Sequence, residues 1–150
     1  MVNMEEITAR DSSLYARLLL GRARHLMVKA RQKELNPYHI SPRQANVIFV
    51  LYNLGHKATL SELAKHTDRE NNTLSIQLTR MERDGIVKKV RETPKSTLIS
   101  FELTEKGIET YNFAKQSKTI KQIMSVLSEE ERQELIGILK KIIKKAGKYQ

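Results

Sequence analysis

The sequence predicts a mainly α-helical protein with one small β-hairpin, an α+β fold. Three observations predict it. Apolar residues recur three and four positions apart along most of the chain, the spacing of amphipathic helices. A single region, "IVKKVRE" and "TLISFEL" around "TPKS", places β-branched residues on both sides of a proline-bearing connection, as a hairpin does. The chain has 150 residues, 39% of them hydrophobic, enough for one domain with its own core.

The elements follow in order. A first helix runs from Ser12 or Ser13 to Leu35 and stops before Asn36-Pro37, because the residue ahead of proline disfavours helical backbone. Its apolar side chains are Leu14, Leu18, Leu19, Leu26, Met27 and Ala30. A second helix opens on Ser41 as N-cap with Pro42 in its first turn and closes at Gly55. Val47, Ile48, Val50, Leu51 and Leu54 form its core side. The short third helix, "LSELAKH", is capped either by Thr59, in a box with Glu62, or by Ser61. The fourth helix is "ENNTLSIQLTRMERDG", Glu70 to Gly85, with Leu74, Leu78 and Met81 as a buried stripe and Gly85 suited to a left-handed turn at its end. The hairpin comes next. Thr104 caps a fifth helix reaching from Glu105 to about Val126. Ser128 and Glu131 form a capping box for the sixth, which carries Leu135, Ile138, Leu139, Ile142 and Ile143 into the basic end "KKIIKKAGKYQ".

The fourth helix is furnished unlike a plain surface helix. At 100° per residue its outer side presents Asn72, Ile76, Thr79 and Arg83, flanked by Thr73, Ser75 and Arg80. Solvated helix faces usually carry Glu and Lys pairs instead. Three helices followed by a hairpin is the winged helix-turn-helix plan, whose last helix of the trio enters the major groove of DNA. Asn, Gln, Ser and Thr can exchange hydrogen bonds with base edges where a carboxylate would be repelled by phosphates, and an isoleucine can touch a thymine methyl. The candidate DNA contacts are Ser61, Asn71, Asn72, Thr73, Ser75, Ile76 and Gln77, with Arg80, Arg91 and Lys95 for phosphates or the minor groove. Arg83, Lys88 and Lys89 compete between phosphate contact and plain solvation. The alternatives are helix capping for Asn71, Asn72, Thr73 and Ser75, burial for Ile76, and packing for Gln77.

Charge agrees with a polyanionic partner: 27 Lys and Arg against 17 Asp and Glu give a net charge of +10. The absence of cysteine excludes disulfides, thiolate metal sites and cysteine nucleophiles. The four histidines, His25, His39, His56 and His66, have no metal-ligand spacing. No phosphate-cradling, hydrolase or metalloprotease motif is present, so no catalytic residue, metal or cofactor is expected. No apolar run approaches the roughly 18 residues of a membrane span. "MVNMEEITARDSS" lacks a signal-peptide core, and a cytoplasmic protein is expected. The lysine-rich tail could suit a membrane surface, but its apolar stripe extends the capped sixth helix and fits a dimer interface better.

Five segments resemble MarR-type transcriptional regulators in order and spacing: "ISPRQANVIFVLYNLG", "LSELAKH", "NNTLSIQLTRMERDGIVKKV", "LTEKG" and "LSEEERQELIGILKKI". The resemblance covers nearly the whole chain and is strongest from Ile40 to Gly107. It implies residues 37–103 as the winged DNA-binding module, and residues 1–36 and 104–150 as dimerisation helices of a single domain over 1–150. It also implies a homodimer on a pseudo-palindromic operator, most often repressing, and a pocket for a small aromatic or anionic effector. Tyr38, His39, Arg43 and Tyr52 are the effector-pocket candidates. The chain departs from the family pattern at three places. Asp68-Arg69 stands where the turn usually has Gly-Leu, Ile76 where an arginine is frequent, and Thr93-Pro94-Lys95-Ser96 where the wing usually holds an Asp-x-Arg element. Zinc-sensing relatives use histidines in the fifth helix, and this chain has none there. The competing expectations are an architectural or RNA-binding winged-helix protein without an operator, and a protein-interaction module.

Overall fold

The structure, a computed structural model, describes residues 3–67 and 69–150. Acceptor side chains start the first two helices. Asn3 accepts the Glu5 N–H ahead of α1 (Met4–Arg10), a helix the apolar period did not announce. Asp11 accepts the N–H groups of Ser13 and Leu14 and caps α2 (Ser12–Leu35). The helix starts at Ser12, as expected, and its cap is Asp11, a carboxylate acceptor at the positive end of the helix. A 3₁₀ turn, Asn36–Tyr38, ends on His39 in the left-handed region at φ 57°.

α3 (Pro42–Asn53) opens with a reciprocal box: Ser41 Oγ accepts the Gln44 N–H at 3.1 Å and Gln44 Oε1 accepts the Ser41 N–H at 2.9 Å. Its Ala45, Val47, Ile48 and Leu51 are buried and Val50 is half-buried. Leu54, expected in the core, is exposed, because the helix ends at Asn53 and the chain turns through Gly55 at φ 86°. A short strand not read from the sequence, β1 (Lys57–Thr59), precedes α4 (Leu60–Thr67). Thr59 and Glu62 form the capping box of α4 at 2.9 and 3.2 Å, so Thr59 prevails over Ser61. α5 spans Asn71–Arg83; Asp68, one of the two residues at which the sequence departs from the family's Gly-Leu, lies outside the described residues. Gly85 takes φ 76°, as its position required.

β2 (Val87–Arg91) and β3 (Ile99–Leu103) form the expected hairpin, with Val87 opposite Leu103 and Lys89 opposite Phe101. β1 adds to the other edge of β3, Ala58 opposite Phe101, giving a three-stranded antiparallel sheet in the order β1-β3-β2. Thr104 caps the next helix by accepting the Gly107 N–H at 3.1 Å and donates to the carbonyl oxygens of Gly85 and Ile86. Lys106 adds a hydrogen bond to Asp84 O at 2.8 Å. A Cβ at Gly107 would lie 2.3 Å from Ile86 O, so glycine is the residue that lets this helix start against the turn after α5.

The single fifth helix expected from the sequence is two: α6 (Glu105–Ala114) and α7 (Lys118–Met124). Ser117 sits between them at φ 46° with its hydroxyl directed to Ala114 O, a side chain competing for a helical carbonyl. α8 (Glu129–Ala146) begins at the Ser128–Glu131 box, as expected, and passes into a 3₁₀ turn at Gly147–Tyr149.

The chain divides into two compact units between Ser117 and Lys118. The first holds the core, in which Leu35, Ile48, Leu51, Leu63, Leu74, Leu78 and Met81 are almost fully buried. Its α2 nonetheless exposes Leu14, Leu19 and Leu26, while Leu18, Met27 and Ala30 are half-buried. In the second unit Arg132 ties the start of α8 to the carbonyls of Met124 and Leu127. α8 buries no residue and leaves Ile136, Ile138, Ile142 and Ile143 open.

Candidate nucleic-acid interface

α5 is anchored from one side only. Leu74, Leu78 and Met81 have 0% exposure, each burial being worth about 1.5–3 kcal/mol. On the opposite side Ile76 is 59% exposed, so it is not a packing residue. Asn71, Asn72, Thr73 and Ser75 are exposed as well. The capping role considered for them is not realised: Glu70 holds the N-cap position without a side-chain bond, and Asn71, Asn72 and Thr73 lie inside the helix. Thr79 gives its hydroxyl proton to Ser75 O at 2.9 Å. Ser61, released from capping, is exposed near the start of α4.

Gln77 is half-buried, and its Nε2 is buried with no hydrogen-bond partner among the described residues. It borders a cleft of about 460 Å³ between α5 and the start of α3. Thr73, Ile76 and Arg80 complete the α5 wall; Ser41, Arg43 and Gln44 form the α3 wall.

In the wing, Ser96 N–H closes a turn on Thr93 O at 3.0 Å, and Arg91 Nη1 donates to Ser96 O at 3.0 Å. Arg91 therefore braces the wing tip, and Lys95 stands exposed on it. The Glu82 carboxylate accepts the Lys89 N–H at 3.2 Å and lies 3.9 Å from Lys89 Nζ, fastening β2 to α5. Arg83 is paired with Asp84 at 3.6 Å, and Lys88 is exposed.

The effector candidates fall in different surroundings. Tyr52 stacks on Tyr111 at 3.7 Å and meets His56 at 4.7 Å, while Tyr38 stacks on Phe113 at 4.7 Å. His39 ends the 3₁₀ turn after α2, and Arg43 lines the cleft beside α5. Sequence reasoning missed Gln44 and the placement of Arg43 across the cleft from Gln77. The Ser41-x-x-Gln44 box was the one available signal, and it fixes only the start of α3. Among the described residues no group of three or more His, Cys, Asp or Glu could hold a metal ion, and no helix is long and apolar enough to cross a membrane.

A helix-turn-helix pair, α4 and α5, backed by a three-stranded sheet whose β2–β3 hairpin projects as a wing, defines a winged helix-turn-helix protein. Solved structures narrow the class. The organohalide-sensing transcriptional regulator RdhR, bound to 2,4-dichlorophenol, superimposes with a TM-score of 0.85 at 26% identity, over 89% of this chain and 80% of that one. AbsC from Streptomyces coelicolor, a MarR family transcriptional regulator, gives 0.79 at 23% identity over 91% and 95%. MepR from S. aureus, in a complex with DNA, gives 0.78 at 23% over 86% and 96%. No family sequence model and no curated protein matches the chain. The chain has the winged-helix fold of MarR-type regulators, and the structures it resembles are transcriptional regulators of that family.

Proposed function

We propose that the chain is a sequence-specific, DNA-binding transcriptional regulator, a repressor without catalytic activity. The observation that carries this is α5 itself: three fully buried residues hold it, while Asn72, Ile76 and Ser75 face outward with nothing in the first unit to cover them. Asn71, Thr73 and Ser61 extend that surface, and Arg80 and Lys95 supply phosphate contacts. Residues 37–103 serve as the DNA-binding module. Residues 1–36 and 104–150 pair two copies through the apolar faces that α2 and α8 leave open. The homodimer sets two recognition helices about 34 Å apart, one DNA turn, on a pseudo-palindromic operator in the cytoplasm. A small aromatic or anionic effector, received near Tyr38, His39 and Tyr52, releases DNA by favouring a helix spacing that mismatches the half-sites. RdhR, solved with 2,4-dichlorophenol, supports the effector class, and MepR, solved with DNA, supports the partner.

Competition between a palindromic fragment from upstream of the protein's own gene and random duplex, across a salt series, tests the proposal. The operator should win by a factor on the order of 10³ or more. Equal affinities would identify an architectural protein, and salt-independent absence of binding would identify a protein-interaction module.

A further inference from the structure

We propose that the cleft between α3 and α5 is an oxyanion seat that takes one backbone phosphate of the bound duplex, gripped by Arg43 and Arg80 from two different helices. This rests on the DNA-binding reading and extends the contact surface to α3. The lining residues are seven, two from α3 with its cap Ser41 and four from α5, and none is acidic. Arg43 and Arg80 are exposed, and their guanidiniums make no hydrogen bond or ion pair among the described residues, unlike those of Arg83 and Arg91 nearby. Two uncommitted guanidiniums lining one cleft repel each other until an anion comes between them, and their planar forks match phosphate oxygens. The volume, about 460 Å³, admits a phosphodiester with its flanking sugar edges.

Gln77 supplies an independent sign. Its Nε2 is a buried donor without an acceptor among the described residues, a state that leaves its desolvation uncompensated. An oxyanion in the cleft provides the acceptor once the side chain turns outward. Gln44 is oriented for the same purpose: its Oε1 is fixed by the Ser41 N–H, which leaves its own amide N–H groups uncommitted. Of the first-turn amides of α3, the Gln44 N–H is already committed to Ser41 Oγ. Position selects DNA as the source of the anion. Ile76 and Thr73 belong both to the cleft and to the outward face of α5, so a duplex that receives α5 in its groove brings a phosphate row to the cleft mouth. Phosphate contacts position and do not read. The seat sets how deeply and in which register α5 lies.

The test uses the full-length protein with operator and random duplexes over a salt series. Arg43→Ala should weaken both by about tenfold and flatten the salt slope by about one unit per half-site, with an unchanged melting temperature. Arg80→Ala should do the same, and Arg43→Lys should restore the slope. In a scan of single neutral methylphosphonates, one position per half-site should weaken the wild type and leave Arg43→Ala unaffected. If Arg43→Ala and Arg80→Ala keep full affinity and slope while Asn72→Ala loses discrimination, the seat is refuted and the DNA reading stands. If the wild type binds no DNA, that reading fails with it. If inorganic phosphate, exchanged for chloride at constant ionic strength, releases the operator while the methylphosphonate scan is flat, the cleft binds a free anion and the proposal is overturned.

Discussion

The first turns of α5 and α8 are built on opposite principles. At α8, Ser128 and Glu131 satisfy each other's backbone at 3.0 and 3.1 Å, and Glu129, Glu130 and Glu131 place three carboxylates at the positive end. Glu129 further accepts from Gln133 at 3.0 Å and from Arg132 at 2.7 Å. At α5 the N-cap makes no side-chain bond, no acid occupies the first turn, and the side chains there are Asn71, Asn72 and Thr73. One helix start is closed on itself; the other leaves its positive end without a side-chain acceptor. A helix end without its own acceptor is a fault in a free-standing helix and an asset at a phosphate-lined groove.

The sharpest way to break the comparison is to give α5 the design of α8. Thr73→Glu puts a carboxylate at the third helical position, where it can reach back to the N-cap amide. The melting temperature should hold or rise slightly, while operator binding should fall by several kcal/mol from repulsion against phosphates. A variant that binds as wild type would show that the start of α5 faces away from DNA. Next in size, Asn72→Ala and Ile76→Ala should each lose roughly 1–3 kcal/mol on the operator and almost nothing on random DNA. Because both residues are exposed, their melting points should match the wild type. Unchanged discrimination in both would dismiss α5 as the reading element.

The other side is sharpened by Ser128→Ala, which should cost about 1 kcal/mol of local helix stability and leave DNA affinity of the assembled dimer unaltered, read by amide protection in α8. The smallest effect is in the acid range. Hydrogen bonds from Ser128, backbone first and hydroxyl second, hold the Glu131 carboxyl below its ordinary value. Hydrogen bonds from Gln133 and then Arg132 lower that of Glu129. Depressed carboxylates contribute stability that is complete above the unfolded-state value and lost as pH falls through the folded one. The start of α8 should therefore fray only below the ordinary carboxylate range. In Ser128→Ala the Glu131 titration, followed by side-chain carboxyl shifts, should move upward.

What the sequence made legible was local and periodic. The stripe of Leu74, Leu78 and Met81, the caps at Ser41, Thr104 and Ser128, and Gly85 in its left-handed turn each follow from a few neighbouring residues. β1 escaped because three residues, Lys57–Thr59, become a strand only by pairing with β3, over forty positions later in the chain. The interruption after Ala114 escaped because no proline or glycine marks it; a serine at φ 46° breaks the helix instead. The cleft was invisible for the same reason as β1. Arg43 and Gln77 are far apart in sequence, and only the packing of α4 against both α3 and α5 brings them to the two walls of one cleft. The side chains facing outward from α5 could be named in advance, whereas the freedom of Asn72, Ser75 and Ile76 from the core could not.

That freedom has an evolutionary reach. Asn72, Ser75 and Ile76 are exposed and lie outside the core, so on the proposed DNA-binding reading exchanging them would alter what the protein recognises without taxing its folding. On that reading a duplicated gene of this design could reach new target sequences through these few codons alone, whereas changes at Leu74, Leu78 and Met81 would lose core burial.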